Sequence, residues 1–182
     1  VIQLRTKTAS DACALEWALA IRSVTRQFEA LFVVNDRFDL ALASEADAVH
    51  LGQNDLPPAS VPSMVRRKLA IGRSTHTLPQ IAAAKQEPVD YLAFGPVFGT
   101  QSKSSQYSAR GLDPLCEAVR MAAPYPLVAI GGINSSNLEA VIKSGADGVA
   151  VISAIASVAD PQVAAHQLVS IFEQARKSLV HE

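Results

Sequence analysis

Gln3, Arg5 and Lys7 alternate with Leu4 and Thr6 in a short run that follows two apolar residues. Side chains alternate along an extended segment, so Gln3 and Arg5 share one face, Leu4 takes the other, and Lys7 follows on the loop. Two cations beside an amide donor suit a polyanion such as diphosphate, because charged donors make short, strong bonds to phosphate oxygens. A solvated charged loop would account for the same residues.

Asn35-Asp36 and, later, Asn54-Asp55 within Leu51-Gly52-Gln53-Asn54-Asp55-Leu56-Pro57 form a second set. Two carboxylates from adjacent strand ends can share a hard cation without caging it, which suits Mg²⁺ that keeps water and phosphate oxygens. Helix or turn capping explains the same aspartates equally simply. His50 falls in step with the strand pattern and is expected as a wall residue, or as one standing behind a site residue, rather than a base.

Three further segments could hold phosphate. In Gly72-Arg73-Ser74-Thr75-His76-Thr77 the hydroxyls and backbone amides suit an anion, although Ser74 or Thr77 also reads as a plain helix cap. His76 has no visible acid partner. The long loop from Gly95 to Lys103 sets Thr100 and Ser102 on either side of Gln101, with Lys103 next, and long loops in small domains often cover ligands. Gly131-Gly132 after one apolar run, and Ile152-Ser153 after another, resemble the phosphate site built by the last two strands of a β/α barrel.

The elements that would position these groups follow a regular rhythm. Strands are expected at Val1–Leu4, Leu31–Val34, Ala48–Leu51, Leu69–Gly72, Tyr91–Phe94, Leu127–Ile130 and Val149–Ile152. Several are apolar on both faces, as parallel strands covered by helices are. Helices are expected between them: Ala12–Phe28 with Leu15, Leu19 and Ile21, capped by Ser10 or Asp11; one entered through Asn134–Asn137 and closed at Gly145; and Pro161–Leu179. Strand-then-helix repetition implies right-handed crossovers and a parallel sheet. The polar candidates sit at or after the ends of different strands, which favours a TIM-type (β/α)8 barrel over an open sheet with one switch point. The expectation is therefore one barrel domain over 1–182. Seven strands were counted where such a barrel has eight, so the first βα unit is expected to be missing from the chain.

Composition fits that picture. Half the residues are apolar (49%) and 18% charged, as in an ordinary globular domain, and the net charge of -1 argues against a surface built for nucleic acid while leaving room for a small-anion site. No apolar run approaches the roughly 20 residues that span a bilayer. Cys13 and Cys116 stand far apart, outside any metal or redox spacing, and read as reduced thiols in a cytoplasmic protein.

Taken in order, Gln-Leu-Arg-x-Lys, Asn-Asp-Arg-x-Asp-Leu-Ala, Val-His-Leu-Gly-Gln-x-Asp-Leu, Ser-Thr-His-Thr, Gly-Pro-Val-Phe, Ala-Ile-Gly-Gly-Ile and Gly-Ala-Asp-Gly-Val-Ala resemble the thiamine-phosphate synthase family over nearly the whole chain. The resemblance implies that Gln3, Leu4, Arg5, Thr6, Lys7, Asn35 and Ser74 hold an aminopyrimidine diphosphate, and that Asp36 and Asp55 bind Mg²⁺. It implies that Thr100, Gln101 and Ser102 meet a thiazole phosphate, with Lys103 reaching the diphosphate. Gly132, Ile152 and Ser153 would complete the thiazole phosphate site. Arg5, Lys7 and Lys103 would be the catalytic cations of a dissociative substitution. Ser102 departs from the family's usual Thr but keeps the hydroxyl, and Ala48 stands where Gly is common. The implied partners are these two small molecules, with a homo-oligomer left open. A thiazole tautomerase, which tends to carry His where Pro96 stands, is the nearer alternative. A non-catalytic barrel that binds a phosphate metabolite is the other.

Overall fold

Seven short apolar runs form strands among the residues described, 1–99 and 107–180 of this computed structural model. All seven expected strands are present, the third, fifth and sixth with the expected ends. The first starts at Ile2, the second is Phe32–Asn35 rather than 31–34, the fourth is Ala70–Thr75 rather than 69–72, and the seventh is Gly148–Ala150 rather than 149–152. The chain divides into two units, Val1–Ser74 with Gln86–Tyr91, and Thr75–Lys85 with Leu92–Glu182.

In the first unit β1 (Ile2–Leu4), β2 (Phe32–Asn35), β3 (Ala48–Leu51) and β4 (Ala70–Thr75) pair in parallel and in sequence order. Gln3 aligns with Val33, Ala48 and Ala70, while Asn35 aligns with His50 and Gly72. Alternation puts both rows on one face of these strands. The other face buries Phe32, Val34, Val49, Leu51 and Ile71, each about 1.5–3 kcal/mol of burial.

Helices α1 (Asp11–Gln27), α2 (Phe38–Ala43) and α3 (Ser63–Arg66) complete this unit. Ser10 caps α1 by accepting from the Cys13 amide at 3.3 Å. The buried positions of α1 are Ala14, Ala18 and Thr25, whereas Leu19 is half exposed. Small side chains therefore lie deepest, with Leu15 and Ile21 half-buried. Arg37 bonds Asp11 at 2.8 Å and Asp39 at 2.6 Å, tying the start of α1 to the start of α2.

In the second unit β5 (Tyr91–Phe94, whose first residue belongs with the first unit), β6 (Leu127–Ile130) and β7 (Gly148–Ala150) pair in parallel. Its helices are α4 (Leu78–Ala84), α5 (Leu112–Ala122), α6 (Leu138–Lys143), α7 (Ser153–Ala156) and α8 (Pro161–Val180). Phe94, Ile81, Leu92, Leu115, Leu127, Leu138 and Ile142 fill its core. Asn137 stands at the start of α6 but caps no helical amide; it accepts from Asn134 N at 2.9 Å and donates to the Gly132 carbonyl at 3.0 Å. Gly145 closes this segment with φ +90°, the left-handed turn expected there.

A repeated device starts the strands. Asp47, Asp90 and Asp147 each accept, through a carboxylate oxygen, an amide at the start of an earlier strand: Phe32 at 2.7 Å, Ile71 (the second residue of β4) at 2.7 Å and Leu127 at 2.8 Å. Each also donates its own amide to that same residue's carbonyl. Both units are thus parallel α/β, the class expected; seven strands lie among the described residues, where the closed barrel expected from the sequence has eight.

Candidate active site

β2 ends in a backbone turn that the sequence does not announce. Asp36 adopts φ +66°, held by its amide bonding to the His50 carbonyl at 2.8 Å. That conformation is uncommon outside glycine and asparagine, and it turns the carboxylate back over the strand end. There it meets the Lys7 ammonium, with Asp36 only 18% exposed and Lys7 51%.

Asp55 approaches from the loop after β3. Its Oδ2 accepts from the Gly52 amide at 2.6 Å, and a Cβ at Gly52 would lie 2.7 Å from that oxygen, so a larger residue there would displace the carboxylate. Two bonds to β4 hold this loop: Gln53 Nε2 donates to the Ser74 carbonyl, and Arg73 Nη1 to the Gly52 carbonyl, both at 2.5 Å. The buried Arg73 is itself steadied by Glu87, 3.1 Å away. Asp55 is therefore a turn residue and, at the same time, a neighbour of Asp36.

The two carboxyl groups share a hydrogen bond, and their environments part them. Burial works to raise Asp36, but the bond to Asp55, the Lys7 ammonium and the more distant Arg5 hold it below the ordinary carboxylate range. Burial raises Asp55, and Asp36 raises it further, against the Gly52 amide and Lys7. Arg5, Lys7, Asp36 and Asp55 thus form one electrostatic cluster. Gln3 and Arg5 are exposed, while Asn35 is half-buried at the end of β2. A cavity of about 200 Å³ beside them is lined by Leu4, Thr6, Lys7, Asn35 and Asp36, among others. Thr6 Oγ1 accepts from the Ala9 amide at 3.3 Å, shaping the loop that carries Lys7.

Ser74 is a strand residue, not a cap; Thr77 takes the cap by accepting from Gln80 N. Ser74 Oγ lies 2.8 Å from His50 Nε2, and His50 Nδ1 lies 3.0 Å from the Tyr91 hydroxyl. His50 is buried, as expected of a wall residue. Sequence reasoning missed Tyr91, Gln53 and Arg73. Tyr91 alone had a signal, a phenol opening an otherwise apolar strand.

In the second unit Gly131 and Gly132, both with positive φ, lie against 96–99, where Phe98 N bonds the Gly131 carbonyl at 3.0 Å. A Cβ at Gly132 would fall 2.8 Å from Phe98 Cβ. Ile130 pairs with Ala150, so the Gly131-Gly132 and Ile152-Ser153 segments leave neighbouring strand ends. Ile152 and Ser153 are exposed at the start of α7. His76 Nδ1 lies 2.6 Å from the Gly95 carbonyl, and its ring stacks on Tyr107 at 4.0 Å. Thr100, Gln101, Ser102 and Lys103 lie outside the described residues.

Among the described residues no group of three or more His, Cys, Asp or Glu could hold a metal ion, which leaves the Asp36–Asp55 pair as an open, two-carboxylate arrangement. No helix among them is long and apolar enough to cross a membrane.

Comparison with known proteins identifies a family. The family described as thiamine monophosphate synthase matches residues 1–155. A thiamine-phosphate synthase of Chlorobium phaeovibrioides is 44% identical over 174 residues, covering 96% of this chain and 83% of its own. One from Moorella thermoacetica is 43% identical over 175 residues, covering 96% and 83%. Among solved structures, a thiamine phosphate pyrophosphorylase from Pyrococcus furiosus superposes with a TM-score of 0.87 at 39% identity, covering 95% of this chain and 82% of that one. A 3-hexulose-6-phosphate synthase, at 20% identity and a TM-score of 0.67, shares the fold. The chain belongs to the thiamine monophosphate synthase family.

Proposed function

We propose that this transferase condenses 4-amino-2-methyl-5-(diphosphooxymethyl)pyrimidine with a thiazole phosphate, giving thiamine phosphate and diphosphate. The observation that carries the reading is the cluster of Arg5 and Lys7 around the Asp36–Asp55 pair at neighbouring strand ends. The bond from the pyrimidine's methylene carbon to diphosphate oxygen breaks, and the thiazole nitrogen supplies the electron pair for the new carbon–nitrogen bond. Charge builds on the departing diphosphate, so fixed cations stabilise the transition state more than the bound substrate. Arg5 and Lys7 do this from the first unit, and Lys103 is assigned the same task.

Gln3, Leu4, Thr6, Asn35 and Ser74 position the pyrimidine diphosphate beside these cations. Thr100, Gln101, Ser102, Gly132, Ile152 and Ser153 are assigned to the thiazole phosphate. Gly132 suits this role because its positive φ and missing side chain leave its backbone open to an anion.

The carboxylates fit a divalent cation. Burial raises Asp55 first and Asp36 raises it further, with only the Gly52 amide and Lys7 opposing, so a cation between the two carboxylates would relieve both effects. Asp36 and Asp55 would hold Mg²⁺, which when bound neutralises charge on the leaving diphosphate. A (β/α)8 barrel goes with this reading, supported by strand–helix alternation and by parallel pairing within each unit. A cytoplasmic setting is supported by the free thiols of Cys13 and Cys116.

Diphosphate release tests the proposal. Release should require both substrates and rise with Mg²⁺. A thiazole isomerised without the pyrimidine substrate, with no diphosphate released, would make the protein a tautomerase. No turnover of either kind would make it a binder.

A further inference from the structure

Among the described residues Tyr91 reaches the substrate-assigned Ser74 through His50. Its ring packs where Gly72 leaves room; a Cβ at Gly72 would overlap both the phenol and His50 Nδ1. The His50 and Tyr91 rings are tilted by 34° with centroids 5.5 Å apart, and the phenol oxygen sits 3.0 Å from Nδ1. Among the described residues Nδ1 is the one hydrogen-bond partner of the Tyr91 hydroxyl, so the phenol proton is satisfied by donating there and would lack an acceptor if Nδ1 carried the ring proton. On the far side of the imidazole, Nε2 is 2.8 Å from Ser74 Oγ.

A neutral imidazole offers one donor and one acceptor. With the phenol O–H donating to Nδ1, the ring proton must sit on Nε2 and donate to Ser74 Oγ. Ser74 then turns its own proton outward, as a donor. The opposite tautomer reverses every bond: Ser74 donates to Nε2 and offers only lone pairs. The state of Nδ1 therefore decides whether Ser74 selects a ligand acceptor or a ligand donor.

We propose that Tyr91 is a positioning residue that fixes the Nε2–H tautomer of His50, so that Ser74 presents a hydrogen-bond donor to an acceptor atom of the pyrimidine substrate. The choice of ligand atom rests on the pyrimidine reading of Ser74; the tautomer does not.

Nitrogen-15 NMR of histidine-labelled full chain, without substrates, reads the tautomer directly. The four histidines are separated by losing the His50 signals in His50→Gln. The parent should show a protonated Nε2 and an unprotonated Nδ1, and Tyr91→Phe should lose that uniform state. A parent with Nδ1 protonated, or a Tyr91→Phe chain with an unchanged tautomer, would overturn the proposal. In turnover, Tyr91→Phe should lower kcat/KM for the pyrimidine diphosphate about tenfold, the scale of one neutral hydrogen bond, and leave the thiazole phosphate KM unchanged. Added to Ser74→Ala, it should cost nothing more; a full tenfold loss there would show that Tyr91 does not act through Ser74. If the parent makes no thiamine phosphate, the functional reading falls, and the NMR result alone decides the tautomer.

Discussion

The carboxyl groups of Asp36 and Asp55 meet in a hydrogen bond yet shift in opposite directions, Asp36 below its ordinary value and Asp55 above. Two like charges this close cannot both ionise freely, and the one nearer the cations wins. Asp55→Asn keeps an acceptor for the Gly52 amide while removing the charge. Turnover should fall about 100-fold or more, the Mg²⁺ requirement should move to higher concentration, and the melting temperature should hold within a few degrees. Unchanged turnover at saturating Mg²⁺ would reject Asp55 as a ligand.

Lys7 faces Asp36 from the loop after β1. Lys7→Met should lower kcat/KM for the pyrimidine diphosphate by about tenfold to 100-fold while sparing the KM for thiazole phosphate. Steady-state kinetics with each substrate varied in turn would show it; an equal loss on both would place Lys7 elsewhere in the reaction.

Asp39 is held below its ordinary value chiefly by its hydrogen bond to Arg37, against the pull of burial. A depressed folded value stabilises above the unfolded pKa of about 3.9, and the gain vanishes as pH falls through the folded value. Arg37→Met should therefore cost stability at about pH 6, and the gap to the parent should close by about pH 2. Both partners are largely exposed, so the gap should stay below about 1 kcal/mol in urea titrations.

Asp147→Ala removes the acceptor for the Leu127 amide. Leaving a strand-end amide without its partner should cost about 1–3 kcal/mol of stability. Activity per folded molecule should be unchanged, because the first amide of β6 lies at the opposite end of that strand from Gly132. Chemical denaturation paired with active-site titration separates the two effects.

Gly132→Ala places a Cβ against Phe98 and asks alanine for φ +63°. It should destabilise by about 1–3 kcal/mol and raise the KM for thiazole phosphate more than it lowers kcat. Equal KM values in the two proteins would free Gly132 from its assigned role.

The strands were legible because each is a short apolar run bounded by polar residues, and helix starts because Ser10 and Thr77 are ordinary caps. The carboxylate pair was legible as two Asn-Asp steps after strands, but its geometry was not. The Asp36 turn depends on the His50 carbonyl, and Asp55 depends on Arg73 and Gln53 reaching across from or to β4. Such contacts join residues far apart in sequence, so no local pattern reports them. The orientation of α1 was hidden for a related reason: apolar count favours Leu19, yet a close approach to the strands selects Ala14 and Ala18.

Asp47 fastens the entry end of β2 and Asp147 that of β6, while Asp36 and Gly132 follow the exit ends of the same two strands. Each unit thereby partitions its own mutational load. Changes near the anchoring aspartates should alter how long the enzyme lasts, and changes at the exit ends of the strands should alter what it makes. A search for hardier variants can work on the first set with little risk to the second.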